Sequence, residues 1–315
     1  MTGRASPRAA AIAVDIGGTT TRVAAIHPPL PRIGARQPFG VWQVVTSFPT
    51  EPRYAAQLAR LGEALATAID QAQRQTPGQP AGVGVSLGGR IARDGSRVSV
   101  APNLRDYEGR PLVQDVSAVC GGLPVRLAHD AVCGLLAERR VGALMGVERC
   151  AYLTLSTGTG CAVHLEPPGG SPESGAGMTL SIELGHQLLD QNERVCLCGQ
   201  TGCLETYTGG RQLALRAGQP IETLPEAEQS ALWRALVEKL GLGLVNLAHL
   251  TRVELVAIGG AIALNHPDLV DALRAEVAHR LRGAQLELVA AALGEQAPLL
   301  GAAALLTTPS GEIIH

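Results

Sequence analysis

The chain has 315 residues, of which 46% are hydrophobic and 17% are charged, and its formal net charge is −2. This length is enough to bury a large core and suits two domains better than one. The sequence has no Lys- and Arg-rich block, so its charge pattern does not predict binding to nucleic acid or to an anionic membrane. No apolar run reaches the roughly 18 residues of a membrane span, and the N-terminus lacks the apolar segment of a signal peptide. We therefore expect a cytoplasmic protein.

The first half alternates strand and helix patterns. An apolar run at residues 9–14 predicts a first strand, which ends in Asp15. The periodicity then predicts strands at 21–26 and 42–48, an amphipathic helix at about 53–74, and further strands at 81–87 and 124–128. Alternation of this kind is typical of α/β domains.

A glycine-rich turn joins the first two strands into a hairpin, with Gly17, Gly18, Thr19 and Thr20 at its tip. Glycines permit positive φ and the close approach of a ligand, while threonine hydroxyls and exposed amides suit phosphate oxygens. A Gly-Gly hairpin tip is also common as a plain turn. Both interpretations stay open on the residues alone.

His129 and Asp130 follow the strand predicted at 124–128, and Val132 begins the apolar pattern of another helix. A carboxylate at such a junction can accept a hydrogen bond from an unpaired amide of the first helical turn. On position alone, the expected role of Asp130 is therefore the N-cap of that helix.

The second half repeats the arrangement of the first. A strand at 151–155, a Gly/Thr tip at 156–160 and a return strand at 161–165 match the first hairpin. A leucine-striped helix at 232–247 leads to a strand at 253–258, and Gly259 and Gly260 follow in a glycine-rich turn. Another helix, a strand at 286–290 and a short helix after Pro298 complete the pattern. This internal duplication predicts two domains whose tips face a cleft that could hold a nucleoside triphosphate.

Between the tip at 156–160 and the leucine-striped helix, a short segment contains His186, Cys196, Cys198 and Cys203. One imidazole and three thiolates form a complete tetrahedral ligand set for Zn²⁺. A redox dithiol and a reactive surface cluster are the alternatives. Zinc binding would order this segment and hold the flanking carboxylates of Glu183 and Glu205 in place.

Several motifs, in this order, resemble the ROK family (repressors, open reading frames and sugar kinases) of the actin-like ATPase superfamily. They are DIGGTTTR, the PNL at 102–104, the Asp130-Ala131 junction, LSTGTG, ELGH, CLCGQTGCLE and IGGA, and the resemblance covers about 11–306. It implies an α/β fold of two actin-like (ribonuclease H-like) domains around an interdomain cleft, with a zinc-knuckle insertion in the second. The first domain would cover 1–130 with the last helix at about 298–308, and the second 131–297 with the zinc segment 183–207. Because the first strand begins near residue 9, we expect no helix-turn-helix domain before it, which favours the kinase branch.

The resemblance also implies roles for individual residues. Asp130 would be the general base that takes the proton of a sugar hydroxyl, commonly the 6-OH. Asn103, His129, Glu183, His186 and Glu205 would bind the sugar, although Asn103 could be a turn former and the two glutamates solvated surface charges. The nucleotide would contact Asp15 (near Mg²⁺), Gly17, Gly18, Thr19, Thr20, Thr157, Gly158, Thr159, Gly259 and Gly260. A structural Zn²⁺ would bind His186, Cys196, Cys198 and Cys203.

Three positions depart from the family pattern. His129 replaces a typical asparagine, Thr20 replaces a common lysine, and the SLGG at 86–89 replaces Ser-x-Pro-Gly. The expected function is an ATP- and Mg²⁺-dependent hexose kinase, glucokinase-like and homodimeric as in relatives. The alternatives are a kinase for fructose, mannose, N-acetylmannosamine or N-acetylglucosamine, a kinase that uses polyphosphate in place of ATP, and a catalytically weak sugar-sensing regulatory protein.

Overall fold

The computed structural model describes residues 9–28, 40–167, 177–189, 192–219, 223–309 and 311–314. In chain order, the strands are β1 (Ala11–Ile16), β2 (Thr20–Ile26), β3 (Trp42–Pro49), β4 (Val83–Leu87), β5 (Arg90–Ile91), β6 (Val98–Val100), β7 (Val125–His129), β8 (Arg149–Leu155), β9 (Thr159–Leu165), β10 (Met178–Ile182), β11 (Leu255–Gly259), β12 (Glu287–Ala290) and β13 (Ile313–Ile314). The helices are α1 (Tyr54–Gln75), α2 (Leu112–Val119), α3 (Asp130–Val141), α4 (Glu205–Thr208), α5 (Gly210–Ala217), α6 (Glu226–Thr251), α7 (Ala261–Asn265), α8 (Leu269–Arg280) and α9 (Ala297–Leu305).

The chain forms two compact units. The first comprises Met1–Gly146, Glu166–Ser181 and Gln296–His315, and the second comprises Val147–Leu165 and Ile182–Glu295. The first unit therefore contains the whole of α3, whereas the predicted boundary after residue 130 places nearly all of this helix in the second domain. The first unit also contains α9, the last helix. Among the described residues, no helix is both long enough and apolar enough to cross a membrane.

The sheet of the first unit has the order β3-β2-β1-β4-β7. The hairpin β1-β2 and the pair β2-β3 are antiparallel, whereas β4 runs parallel to β1 and β7 runs parallel to β4. Every residue of β1 is buried, which requires cover on both faces of the sheet. Helices α1 and α2 pack together against this sheet, and α9 packs against β4, β1 and β7.

Two glycines bring α9 close enough to position α3. A Cβ added at Gly84 of β4 would lie 1.8 Å from the carbonyl oxygen of Ala302 in α9. A Cβ added at Gly301 of α9 would lie 1.7 Å from the carbonyl oxygen of Cys133 in α3. Both distances are far inside van der Waals contact, so only glycine lets these backbones approach. Helix α3, which begins at Asp130, is thereby fixed against the core of the first unit.

The second unit repeats the strand arrangement of the first. Its hairpin β8-β9 is antiparallel, β11 runs parallel to β8, and β12 runs parallel to β11. The order β9-β8-β11-β12 therefore matches the order β2-β1-β4-β7. This repeated mixed sheet confirms the predicted α/β fold class, with two actin-like domains. The predicted interdomain cleft stays a prediction.

Most predicted elements are present within a few residues of their expected bounds. The structure adds the hairpin of β5 and β6, the helices α2, α4, α5 and α7, and the strand pair β10-β13. The Gly-, Pro- and Ser-rich composition of residues 167–179 predicts a loop, but β10 begins within it at Met178, and 168–176 lie outside the described residues. The proline-rich segment 28–38, for which the composition also predicts a loop, lies almost wholly outside the described residues.

Candidate active site

Asp130 lies at the junction of β7 and α3, as the sequence predicts. The structure makes it the first residue of α3 and makes His129 the N-cap residue, so the N-cap role considered for Asp130 is wrong. The Ala131 amide lies 2.6 Å from Asp130 Oδ1 and 3.2 Å from His129 Nδ1. His129 Nδ1 is also 3.1 Å from Asp130 Oδ1. The ring nitrogen can thus accept from Ala131 or donate to Asp130, depending on its tautomer. The Asp130 side chain remains 33% exposed.

Asp15 is a buried carboxylate at the same edge of the sheet. Its Oδ2 is 2.7 Å from Arg22 Nη2, and its Oδ1 accepts a 2.9 Å hydrogen bond from Ser86 Oγ. Burial raises the pKa of Asp15; the Arg22 and Ser86 contacts act against this, and the charge of Asp130 adds to it. Ligands of open α/β sheets bind at the carboxyl ends of parallel strands, which is where Asp15 and Asp130 lie.

The first tip, Gly17–Thr20, closes as a turn in which the Gly17 amide donates to the Thr20 carbonyl at 2.9 Å. Thr50, directly after β3, stabilises this turn with two hydrogen bonds. Its hydroxyl donates to the Gly17 carbonyl at 2.8 Å, and its amide donates to the Thr19 carbonyl at 2.9 Å. Within the described part of the chain, the amides of Gly18 and Thr19 have no hydrogen-bond partner. Two such amides can bind an anion.

Asn103 is an exposed residue in the turn that the Leu104 amide closes by donating to the Ala101 carbonyl at 2.9 Å. This placement agrees with the turn-forming role. Its sugar-binding role stays a prediction.

In the second unit, the structure brings His186, Cys196, Cys198 and Cys203 together as one group, which we call the metal cluster. Their ligand atoms all lie within 4.8 Å of one another. The sulfurs of Cys198 and Cys203 are 3.7 Å apart, and Cys196 Sγ is 3.8 Å from His186 Nδ1. A tetrahedron with Zn–S bonds of about 2.3 Å has S···S edges of about 3.8 Å. The donor set and its spacing therefore fit a structural Zn²⁺.

The backbone of the knuckle is folded to present these ligands. The amide of Cys196 donates to the Gln200 carbonyl at 2.7 Å, and Gly199 and Gly202 adopt φ of 95° and 86°. Burial raises the pKa of the Cys196 and Cys203 thiols. A bound cation would reverse this effect, because zinc binds thiolates.

His186 turns its second ring nitrogen away from the metal cluster. Its Nε2 is 3.8 Å from Oε2 of Glu183, so Nδ1, which lies beside Cys196 Sγ, can bind zinc while Nε2 adjoins a carboxylate. Glu183 is partly exposed, with 44% of its side chain accessible. The Glu183 carboxylate is thus partly accessible to solvent beside the imidazole of His186.

Glu205 lies between the metal cluster and the second tip, Ser156–Thr159. Its Oε2 accepts a 2.8 Å hydrogen bond from the Thr159 amide, and its Oε1 is 4.0 Å from Cys196 Sγ. A Cβ added at Gly158 would lie 2.8 Å from the same Oε2. The family resemblance predicts a sugar contact for Glu205 and a nucleotide contact for Thr159, but it does not predict the hydrogen bond that joins them.

Gly259 is the last residue of β11, and Gly260 follows it beside the start of the second tip. Gly260 has a φ of 89°, and a Cβ there would lie 2.4 Å from the Leu155 carbonyl oxygen. Leu155 is the last residue of β8, directly before Ser156. The structure therefore brings Gly259, Gly260 and the second tip to one end of the second sheet, whereas Asp15, His129, Asp130 and the first tip belong to the first unit.

The partners of Asp15 are not predicted by the sequence motifs. Arg22 stands directly opposite Asp15 in the β1-β2 register, and Ser86 is its register partner in β4. Pairing the predicted hairpin around its glycine-rich tip would have found Arg22. Ser86 required knowledge of which strand lies beside β1.

The sequence model that defines the ROK family matches residues 11–308 of this chain. The chain belongs to the ROK family. Its relatives include both kinases and repressors. It is 30% identical to the kanosamine kinase of Amycolatopsis mediterranei, over 80% of this chain and 81% of that protein. It is 28% identical to the xylose repressor of Bacillus subtilis, over 74% of this chain but only 62% of that protein.

The fold is also that of a solved ROK structure. The Streptomyces griseus ROK glucokinase, in complex with glucose and AMPPNP, superposes with a TM-score of 0.71 at 24% identity, covering 94% of this chain and 98% of that one. At this identity the likeness concerns the fold alone.

Proposed function

We propose that this ROK protein is an ATP-dependent hexose kinase, glucokinase-like, that transfers the γ-phosphoryl group to a sugar hydroxyl, the 6-OH in a hexose. The observation that carries the proposal is the partly exposed carboxylate of Asp130, held at the first turn of α3 beside the buried Asp15. The kanosamine kinase relative and the amides of the two tips also support it.

Phosphoryl transfer needs a positioned hydroxyl, a base and stabilisation of phosphate charge. Asp130 Oδ2 would accept the hydroxyl proton as the sugar oxygen attacks phosphorus in line with the departing ADP oxygen. The amides of Gly18, Thr19, Thr157 and Gly158, which lack partners in the described part of the chain, would donate hydrogen bonds to phosphate oxygens. Thr20, in place of lysine, leaves this binding to neutral donors.

Two metal ions have different roles in this proposal. Asp15 is already held by Arg22 and Ser86, so it fits a contact with the water shell of Mg²⁺ better than direct coordination. Bound Mg²⁺ would neutralise phosphate charge. Zn²⁺ in the metal cluster would be structural, because four protein ligands leave no open position.

Sugar recognition would fall to Asn103, His129, Glu183, His186 and Glu205. His129 can donate one hydrogen bond and accept one, so it can replace the asparagine of relatives in contacting a hydroxyl. The proposal further includes a homodimer in the cytoplasm.

A coupled assay of ADP release tests the proposal with glucose, mannose, fructose, N-acetylglucosamine, N-acetylmannosamine and kanosamine. We expect sugar-dependent ADP from at least one of them and no release without sugar. Repeating the panel with polyphosphate and detecting sugar phosphate identifies the donor. Sugar binding by calorimetry without phosphorylated product from either donor would refute the kinase.

The second candidate is a sugar-responsive regulatory protein. It is favoured by the similarity to the Bacillus subtilis xylose repressor, of which the chain spans 62%, and by His129 and Thr20 in place of the kinase residues. Xylose belongs in the same panel for this reason. Binding of xylose or a hexose with no turnover supports this candidate.

A further inference from the structure

The second tip is held by the segment that follows the metal cluster. The Thr159 amide donates to Glu205 Oε2 at 2.8 Å, and the hydroxyls of Thr159 and Thr208 are 2.7 Å apart. The amides of Gly210 and Arg211 donate to the carbonyls of Ser156 and Thr157 at 2.8 and 3.0 Å. The conformation of the tip therefore depends on a segment that lies far later in the chain and begins at Glu205.

The space around the Glu205 side chain is matched to it. A Cβ added at Gly158 would lie 2.8 Å from Oε2, and one added at Gly209 would lie 2.8 Å from Cγ. A Cβ at Gly185 would come within 3.5 Å of the Glu205 Cβ. Glycine at these positions lets the carboxylate reach the tip amide, so this contact is a built feature of the second unit.

The other side of Glu205 adjoins the metal cluster. Glu205 closely follows Cys203 in the chain, and its Oε1 is 4.0 Å from Cys196 Sγ. The Leu204 amide donates to the Gln187 carbonyl at 3.0 Å, which ties this turn to the residue after His186. The position of the carboxylate is therefore coupled to the folding of the cluster.

We propose that Glu205 is a positioning residue for the nucleotide: it couples the ordering of the metal cluster to the second tip and sets the direction of the Thr157 and Gly158 amides, which have no partner among the described residues. The inference rests on the proposed nucleotide role of this tip. It assigns to the carboxylate a role beyond the sugar contact. A carboxylate has acceptor sites on both oxygens, so Oε1 can still contact a sugar while Oε2 holds Thr159.

The decisive comparison is Glu205→Ala against Glu205→Gln. Both changes remove the negative charge, but only Gln keeps an oxygen that can accept from Thr159. Mg-AMPPNP affinity, measured by calorimetry without sugar, isolates the nucleotide from the sugar site. We expect Glu205→Ala to bind about tenfold more weakly than Glu205→Gln, since a lost hydrogen bond of this kind is worth roughly a factor of ten. Zinc content of each variant is measured alongside.

Glu183→Ala is the matched control, because it removes a carboxylate from the His186 side of the same cluster. We expect it to leave Mg-AMPPNP affinity unchanged and to weaken sugar binding. Equal AMPPNP affinity of the Ala and Gln variants at equal zinc content would overturn the proposal. So would a loss of affinity in Glu183→Ala equal to that in Glu205→Ala.

Hydrogen exchange of the peptide that contains the Thr159 amide gives a readout independent of kinase activity. We expect exchange at Thr159 to be faster in Glu205→Ala than in Glu205→Gln and in the parent. Unchanged exchange would overturn the positioning role even if a kinase is found. If the parent binds no AMPPNP, the proposed function and the nucleotide role both fail, whereas faster exchange would still identify the contact that orders the tip.

Discussion

Replacing Asp130 by asparagine separates proton transfer from folding. Asparagine has the same shape, and its oxygen can accept the hydrogen bond that Asp130 Oδ1 receives from the Ala131 amide at 2.6 Å. It cannot take a proton from a sugar hydroxyl. A general base contributes about 10²- to 10⁴-fold, so we expect kcat to fall by that factor, which corresponds to roughly 3 to 5 kcal/mol of barrier.

The effect on stability should be much smaller. Removing a negative charge from the first turn of α3 costs about 0.3 to 1 kcal/mol. It also removes the repulsion between Asp130 and the buried Asp15, which acts in the opposite direction. At about 2 to 4 °C per kcal/mol, we expect the melting temperature to change by no more than a few degrees.

The assay uses the sugar that gives the highest rate in the panel. Initial rates of ADP release give kcat at saturating ATP and sugar, calorimetry gives the sugar affinity, and differential scanning fluorimetry gives the melting temperature. We expect sugar affinity to change less than threefold, which corresponds to less than about 0.65 kcal/mol. A variant that keeps more than about a tenth of the parental kcat would refute the role of Asp130 as base.

The remaining predictions concern the metal, the packing and the pH dependence. Cys198→Ser should lower zinc content and weaken sugar binding, whereas Cys120→Ser, outside the metal cluster, should keep the zinc. Metal analysis of both variants checks this, and equal zinc content would contradict zinc binding by the metal cluster. Gly84→Ala places a Cβ 1.8 Å from a carbonyl oxygen of α9 and should lower the free energy of unfolding by about 3 kcal/mol or more; Gly62→Ala in α1, with its nearest neighbour at 3.5 Å, should be neutral or stabilising in the same urea titration. Burial raises the pKa of Asp15, so folding favours the protonated side chain. The stabilisation that comes from protonating Asp15 is complete below its pKa in the unfolded chain, about 3.9, and is lost as the pH rises through its pKa in the folded protein. The stability of the parent relative to Asp15→Asn should therefore be greatest near pH 4 and decrease towards neutrality, and a constant difference across this range would contradict the assignment.

The sequence by itself determined the features that depend on nearby residues. The helix predicted at 53–74 is found at Tyr54–Gln75, because its apolar side chains recur at helical spacing and form one buried stripe. The first hairpin follows from two apolar runs joined by a glycine-rich tip. The metal cluster was also predictable, because its ligands lie close together in the chain and their side-chain chemistry is specific.

Only the tertiary structure decided the contacts between residues far apart in the chain. Glu205 and Thr159 come from well-separated segments that a hydrogen bond joins, and no periodicity or local motif links a carboxylate in one to an amide in the other. Strand β13, close to the end of the chain, pairs with β10 through Thr179 and Ile313. The extended backbone of His129 at the end of β7 makes this residue, and not Asp130, the N-cap of α3. Side-chain patterns report which faces are buried, whereas hydrogen bonds between distant segments depend on how the packed elements place individual donors and acceptors.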